Sequence, residues 1–402
     1  MPPRPRILIP SIAAVLYFSQ GLPYGFVTET LNLYASAARV SLTEIGLLSF
    51  AGLAWTFKFL WAPLVDLVGT YRGWIYGALV ALAALIASFA VVPAGGALFF
   101  VIASLLAVAS ATQDIAIDAL TIRITPRELF GLVNSARVTA FRVAIITASG
   151  GIALIADRAG WPMAFVLAAL VPLLIIAIVA VAVPRESEEV AARHENPVRA
   201  LIDWLARPGS LLLLLVVMLY RVGDNALNPM IRPYWIDRGF TVTEVANVTT
   251  TLGMLCTIAG AIAGGVFVSR FGIFRGLLWL GAAQMLSNVV YAAVAIGGGG
   301  RPSLYGATVV ETFCNGLGVA AFLSFLMYVC DKSNAATEYA ALSAVFALSR
   351  TLAGAFSGYF TVRMGFAPYF LTTAALALPG LMVLPLIRER LRQGPATVVT
   401  EV

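Results

Sequence analysis

Long apolar runs separated by short polar connections recur along the whole chain. Most exceed about 18 residues, enough for an α-helix to cross the hydrocarbon core of a bilayer. The pattern predicts twelve spans, over about 8–34, 44–65, 73–93, 97–122, 131–156, 161–183, 209–235, 243–267, 276–296, 305–330, 338–362 and 366–387. One connection stands apart: Pro184 to Pro208 is polar and rich in Arg and Glu. It splits the spans into two sets of six. The expected organisation is an all-α membrane protein with an N-terminal six-helix bundle over 1–183, a cytoplasmic linker over 184–208, a C-terminal six-helix bundle over 209–390 and a cytoplasmic tail over 391–402.

Charged residues inside the apolar runs are the next signal. An ionisable group at membrane depth is costly, so it marks a partner or a function. The fourth span carries Asp114 and Asp118, and the fifth carries Arg137 and Arg142. In an antiparallel hairpin, Asp118 meets Arg137 at one depth and Asp114 meets Arg142 at another. The two acids are four apart and share a helix face, with Gln113 beside them. The two arginines are five apart and diverge by about 140° around a helix. Asp118 with Arg137 is therefore expected to be structural, near the inner surface. Arg142, nearer the midplane, is expected to contact substrate. Arg350 in the eleventh span has no acid at matching depth in the tenth. Asp224, Glu311 or an anionic substrate must neutralise it, and arginine suits bidentate recognition of carboxylate or phosphate.

Other polar positions extend the set. Arg221 and Asp224 are three apart in the seventh span and can pair locally, with Asn225 next to them. Glu29 and Glu311 have no basic partner in their own helices. With Asp114 and Asp224 they are candidate proton-coupling acids, because a desolvated carboxylate binds protons more readily. Lys58 lies about two turns from the inner surface and is expected to snorkel. Gln20-Gly-Leu-Pro-Tyr24 interrupts the first span, a disturbance tolerated where backbone lines a cavity. Gly150-Gly151 and Gly260, Gly264 and Gly265 suit close helix packing.

Composition agrees with the pattern. Hydrophobic residues make up 60% of the 402, and only 11% are charged, against about 25% in soluble domains. Mean hydropathy is +0.91. The net charge of +6 comes from loop arginines, with no basic tract to suggest nucleic acid. With the N-terminus inside, the outer loops hold only Arg39, Arg158, Arg232, Arg238, Arg301 and Arg363 of the 26 Lys and Arg. That bias places both termini in the cytoplasm. The basic N-terminus leads into a retained first span, since no small-residue cleavage site follows it. Cys256, Cys314 and Cys330 lie in spans and predict no disulfide. The single histidine, His194, lies in the linker. No cofactor or metal is expected, and an intramembrane enzyme lacks its catalytic constellation. The largest loop, about 25 residues, is too small for the soluble domain a sensor or scaffold needs.

The two halves repeat. Val65-Asp-Leu-Val-Gly-Thr-Tyr-Arg-Gly73 aligns with Val268-Ser-Arg-Phe-Gly-Ile-Phe-Arg-Gly276. Ser135-Ala-x5-Arg142 aligns with Ser343-Ala-x5-Arg350, and Thr43-Glu44 with Thr243-Glu244. Six spans per copy give parallel repeats with a substrate site near the midplane, the arrangement of the major facilitator superfamily. The loop Pro63-x-x-Asp66-x-x-Gly69-x-x-Arg72-Gly73 resembles that superfamily's signature between spans two and three. Its Asp66 is expected to cap a neighbouring helix end and close an inner gate with Arg72. In the second copy Arg275 is kept but Ser269 replaces the acid, so that copy should be weaker.

More specific stretches are Tyr17-Phe-Ser-Gln-Gly-Leu-Pro23, Phe57-Lys-Phe-Leu-Trp-Ala-Pro-Leu-Val-Asp66, Ala111-Thr-Gln-Asp114 to Asp118, Tyr220-Arg-Val-Gly-Asp224, Glu311-Thr-Phe-Cys-Asn-Gly-Leu-Gly318 and Tyr339-Ala-Ala-Leu-Ser343 to Arg350. These resemble the AmpG-type muropeptide permeases, a branch shared with acetyl-CoA transporters. The resemblance runs from about residue 14 to 388. It implies a proton-coupled importer of an anionic solute, an anhydro-muropeptide first and a siderophore or acetyl-CoA-type solute as the alternative. It further implies a multi-pass protein of the bacterial inner membrane, a monomer whose partners are solute, protons and lipid. Gln20, Gln113, Arg142, Arg221, Asn225, Asn315 and Arg350 are the expected substrate contacts. Members of this family with extra C-terminal spans are known, whereas twelve are predicted here.

Overall fold

A computed structural model describes residues 8–41, 44–45, 48–182, 199, 202, 205–206, 209–241, 244–245, 247–298 and 300–393. Most of the expected linker, with His194, and the tail beyond residue 393 lie outside them. The described chain is helical. In order it forms α1 (Leu8–Gly25), α2 (Leu31–Ala37), α3 (Leu53–Phe57), α4 (Ala62–Leu67), α5 (Tyr71–Ser88), α6 (Gly96–Ile124), α7 (Phe130–Ile146), α8 (Ile152–Ala159) and α9 (Trp161–Ala182). It continues with α10 (Ser210–Leu219), α11 (Val222–Asp237), α12 (Gly253–Phe271), α13 (Ile273–Ile296), α14 (Arg301–Val329), α15 (Ala335–Met364) and α16 (Phe366–Gln393). Ten helices or helix runs among the described residues are long and apolar enough to cross a membrane.

Several expected spans depart from a plain helix, each at a local break. In the first, Pro23 sits inside α1 without ending it, and a π turn over Phe26–Thr30 leads into α2. Proline removes one intrahelical donor, and the wider turn follows within one helical turn. A second π turn, Thr147–Gly151, joins α7 to α8, and its Ala148 carbonyl accepts from Thr30 Oγ1 at 2.7 Å. The second span, expected as one helix over 44–65, is instead made of short pieces. A 3₁₀ turn over Lys58–Leu60 lies between α3 and α4, and Pro63 stands at the start of α4. The seventh span breaks at Tyr220-Arg221, between α10 and α11. There Gly223 packs so closely that a Cβ would lie 2.4 Å from the Thr373 carbonyl oxygen.

The chain forms two compact units. The first contains residues up to Thr125, Ala136–Ile202 and Asp331–Ala341. The second contains Pro126–Ser135, Asp203–Cys330 and the residues from Leu342 onward. Each unit thus includes a short segment from the other half of the sequence. An aromatic core in the first unit joins Phe26, Tyr34, Phe89, Phe99, Trp161 and Phe165, with ring centroids 5.0–6.2 Å apart. In the second unit Tyr234, Trp235, Tyr291 and Phe370 play the same part.

Close helix approach replaces the hydrophobic effect inside a bilayer, where packing and small residues hold helices together. The α12–α14 crossing shows this. A Cβ on Gly260 would lie 2.0 Å from the Phe313 carbonyl oxygen, and one on Gly316 would lie 2.2 Å from that of Thr257. Gly316→Leu is therefore expected to cost about 3 kcal/mol or more through overpacking. Gly306→Leu on the same helix meets open space and should be silent. Monodispersity of the two purified variants by size-exclusion chromatography checks the contrast.

Candidate functional site

The first unit buries an ionic cluster on α6. Asp114 and Asp118 are one turn apart and both buried. Lys58, carried by the 3₁₀ turn of the second span, pairs with Asp114 and lies 3.7 Å from Asp118. Arg137 on α7 pairs with Asp118 at 3.0 Å. Tyr17 on α1 donates its hydroxyl to Asp118 at 2.8 Å, and the Arg137 guanidinium stacks over the Tyr17 ring at 4.5 Å. Arg137 also donates to the Tyr339 hydroxyl at 2.7 Å. The cluster balances two cations against two carboxylates. Gln113, behind it, donates to Ser19 at 2.9 Å, while its carbonyl oxygen and that of Gln20 are buried without partners among the described residues.

The Asp118–Arg137 pair is as expected. Asp114 is not: it pairs with Lys58 rather than Arg142. Equal depth in a hairpin fixes position along the axis, but the divergence of Arg137 and Arg142 turns only one of them toward α6. Lys58 does not snorkel. The break in the second span aims it inward, where it is 5% exposed. Tyr339 opens one of the stretches that the sequence singles out, but its contact with Arg137, some 200 residues away, carries no sequence signal. Tyr17 lies in a motif the sequence singles out, but its partner could not be read there.

The second unit holds a different polar group. Arg221, at the break before α11, pairs with Asp224 at 3.3 Å. Gln284 lies beside both Asp224 and Glu311, Asn288 lies beside Asp224, and Asn315 lies one turn along α14 from Glu311. Asp224 and Glu311 are buried. Among the described residues Glu311 forms no ion pair, and its Oε1 is buried without a hydrogen-bond partner. Asn225 Nδ2 is likewise unpartnered. Here one cation faces two carboxylates.

The two arginines related by the repeat, Arg142 and Arg350, make no ion pair among the described residues. Arg350 is exposed and Arg142 half-buried near Tyr24. Of the three partners expected for Arg350, neither Asp224 nor Glu311 pairs with it: Arg221 holds Asp224 from three residues away on the same span, and Glu311 forms no ion pair among the described residues. Glu29 is exposed in the first π turn, apart from the buried acids.

Each copy of the loop motif caps a helix start that belongs to its own unit. Asp66 accepts from the Ala336 amide at 3.3 Å, and from the Thr337 amide and hydroxyl at 2.8 and 2.6 Å. These amides are among the first-turn donors of α15 that have no helical acceptor. Tyr71 donates to the same carboxylate at 2.5 Å. Burial pushes the Asp66 carboxyl above the usual range, and the bonds from Thr337 and Tyr71 pull it back. Arg72 donates to the Ala180 carbonyl at the end of α9 at 2.7 Å. In the second copy Ser269 accepts from the Leu132 amide at the start of α7 at 3.2 Å. Gly69 and Gly272 take φ of 71° and 84°, a region open to glycine at little cost. One neutral bond against three to a carboxylate makes the second copy the weaker. Asp66→Asn is expected to loosen the start of α15 by about 1–2 kcal/mol, the scale of a lost cap. Faster amide exchange over 335–341, with other helices unchanged, is the check.

Residues 11–212 match the Major Facilitator Superfamily. The chain is 35% identical over 401 residues to the anhydromuropeptide permease of Escherichia coli K12, covering 97% of this chain and 80% of that protein. It is 26% identical over 393 residues to putative transporter AmpG 4 of Rickettsia conorii, covering 92% of this chain and 94% of that one. Among solved structures, the facilitator FucP in an outward conformation superposes with a TM-score of 0.70 at 17% identity, covering 95% of this chain and 99% of that one. The human organic anion transporter MFSD10 superposes with a TM-score of 0.68 at 17% identity, covering 95% and 100%. The proton:xylose symporter XylE gives 0.68 at 11% identity, covering 96% of each chain. All three share the fold.

Proposed function

The chain belongs to the major facilitator superfamily and, within it, to the anhydromuropeptide permeases, and from that premise we propose that it imports anhydro-muropeptides across a bacterial inner membrane by proton symport. Glu311 carries the coupling part of the reading. It is a buried carboxylate with no cationic partner among the described residues, beside an Arg221–Asp224 pair that is already neutral. Burying an unpaired charge is costly, and taking up a proton removes that cost. Arg142 and Arg350, free of ion pairs with described acids, supply cations for an anionic solute. The Lys58–Asp114–Asp118–Arg137 cluster is neutral as it stands and acts as scaffold. Both termini are cytoplasmic, from the arginine bias of the loops, and the working form is a monomer.

Reconstituted liposomes test both parts. With labelled anhydro-muropeptide outside, an inward proton gradient should drive accumulation, and an uncoupler should collapse it. Uptake indifferent to the uncoupler refutes proton coupling. Failure to take up the muropeptide, with uptake of a siderophore or acetyl-CoA in the same vesicles, refutes the substrate.

A further inference from the structure

We propose that the second copy of the loop motif forms a site for a phosphate-bearing anion, held by Arg127, Arg275 and Arg388. The starting point is the difference between the copies. In the first, the Asp66 carboxylate supplies the negative charge that grips the start of α15. In the second, Ser269 offers only a neutral acceptor. Beside Ser269 lies a cavity of about 450 Å³, and the three arginines line it.

Their side chains are positioned but not neutralised. Arg127 stacks over the Tyr328 ring at 4.9 Å and Arg388 over the Phe274 ring at 5.4 Å. Among the described residues no carboxylate lies within ion-pair range of any of the three. Glu128 also lines the cavity but pairs with none of them. All three are exposed, so water screens much of their mutual repulsion, and an anion that joins them removes the rest. The wall adds a second attraction. The long helix α13 begins there, after Gly272, with no side-chain cap. Its first amides point outward from a helix N-terminus, which favours anions. Arginines in this number match the oxygens of a phosphate better than those of a single carboxylate. Val268, Phe271, Ile273 and Leu391 make an apolar stretch of the wall that accommodates the acyl-bearing end of a phospholipid. A soluble phosphate would use the arginines alone.

The site has a mechanical consequence. Arg127 belongs to the segment Pro126–Ser135, whereas Arg275 and Arg388 belong to the C-terminal half of the sequence. A bound anion therefore ties that segment to α13 and α16, as Asp66 ties Asp331–Ala341 in the first unit.

The full-length protein in nanodiscs tests this, independently of transport. The discs contain phosphatidylcholine alone, phosphatidylcholine with phosphatidylglycerol, or phosphatidylcholine with millimolar inorganic phosphate. Lipid retention is read by native mass spectrometry, and amide exchange is read over 126–135. Phosphatidylglycerol is expected to be retained and to slow exchange in this segment. At about fivefold per arginine near a membrane surface, the triple variant Arg127→Gln/Arg275→Gln/Arg388→Gln should lose about a hundredfold in retention. Arg388→Gln alone should lose about fivefold, and serves if the triple variant does not fold. Ser269→Asp returns the carboxylate, so it should protect 126–135 in phosphatidylcholine alone and weaken retention of the anionic lipid. Equal protection by inorganic phosphate assigns the site to soluble phosphates, and protection by the lipid only assigns it to the headgroup. Retention equal in wild type, Arg388→Gln and Ser269→Asp, or no protection by either probe, overturns the proposal.

Discussion

Replacing Glu311 with glutamine is expected to abolish proton-driven accumulation while leaving solute exchange intact. A gradient of one pH unit is worth about 1.4 kcal/mol per proton, or about tenfold accumulation for one-to-one symport. The variant should bring internal and external solute only to about equal concentrations under the same gradient. Glutamine fixes the side chain in a shape equivalent to the protonated acid. Its amide is accommodated by neighbours already present, Gln284 and Asn315, and it removes a buried negative charge that forms no ion pair among the described residues. Folding should therefore survive. Asp224→Asn makes the contrast. It strips Arg221 of a partner at 3.3 Å in a buried setting, and an orphaned buried charge costs about 3–5 kcal/mol. The measurement is uptake under an imposed gradient, paired with counterflow between equal solute pools. Tenfold accumulation by Glu311→Gln would place the coupling proton elsewhere.

Where the sequence could be read correctly, the reading rested on one-dimensional quantities. The all-α membrane class follows from the length of the apolar runs, and the Asp118–Arg137 pair from depth along the membrane normal. The Arg221–Asp224 pair follows from spacing within one span, and it forms even though the helix breaks there. What failed depended on direction around a helix axis or on a third element. Asp114 and Arg142 share a depth, yet Asp114 is taken by Lys58, which reaches it because the second span is broken into short turns. The apolar run over 44–65 reads as one helix and gives no sign of these turns or of where they aim a side chain. The capping role of Asp66 was legible because the motif recurs and a helix start needs acceptors. Its target, the amides of Ala336 and Thr337, lies some 270 residues on, beyond any local pattern. The arginine-lined cavity at Arg127, Arg275 and Arg388 was legible only as scattered loop cations.

The Asp118→Asn and Arg350→Ala variants should fail in opposite ways. Asp118 is 1% exposed and serves three partners: Tyr17 at 2.8 Å, Arg137 at 3.0 Å and Lys58 at 3.7 Å. Asparagine leaves two cations sharing one buried acid, Asp114. Breaking a buried pair in this way costs about 3–5 kcal/mol, a large part of the stability of most proteins. The damage should spread to the segment Asp331–Ala341, because Arg137 also holds Tyr339 and loses the charge that orients it. Lower melting temperature and faster amide exchange over 331–341 are the expected readings. Arg350 is exposed and makes no ion pair with a described residue. Its removal should leave stability within about 0.5 kcal/mol. If it holds a carboxylate of the solute, a charge-assisted contact of about 1.5–3 kcal/mol is lost, and half-saturating muropeptide should rise about 10- to 100-fold. Equal loss of binding in both variants, with normal expression and melting, would show that the ionic cluster of the first unit meets the solute directly and is more than scaffold.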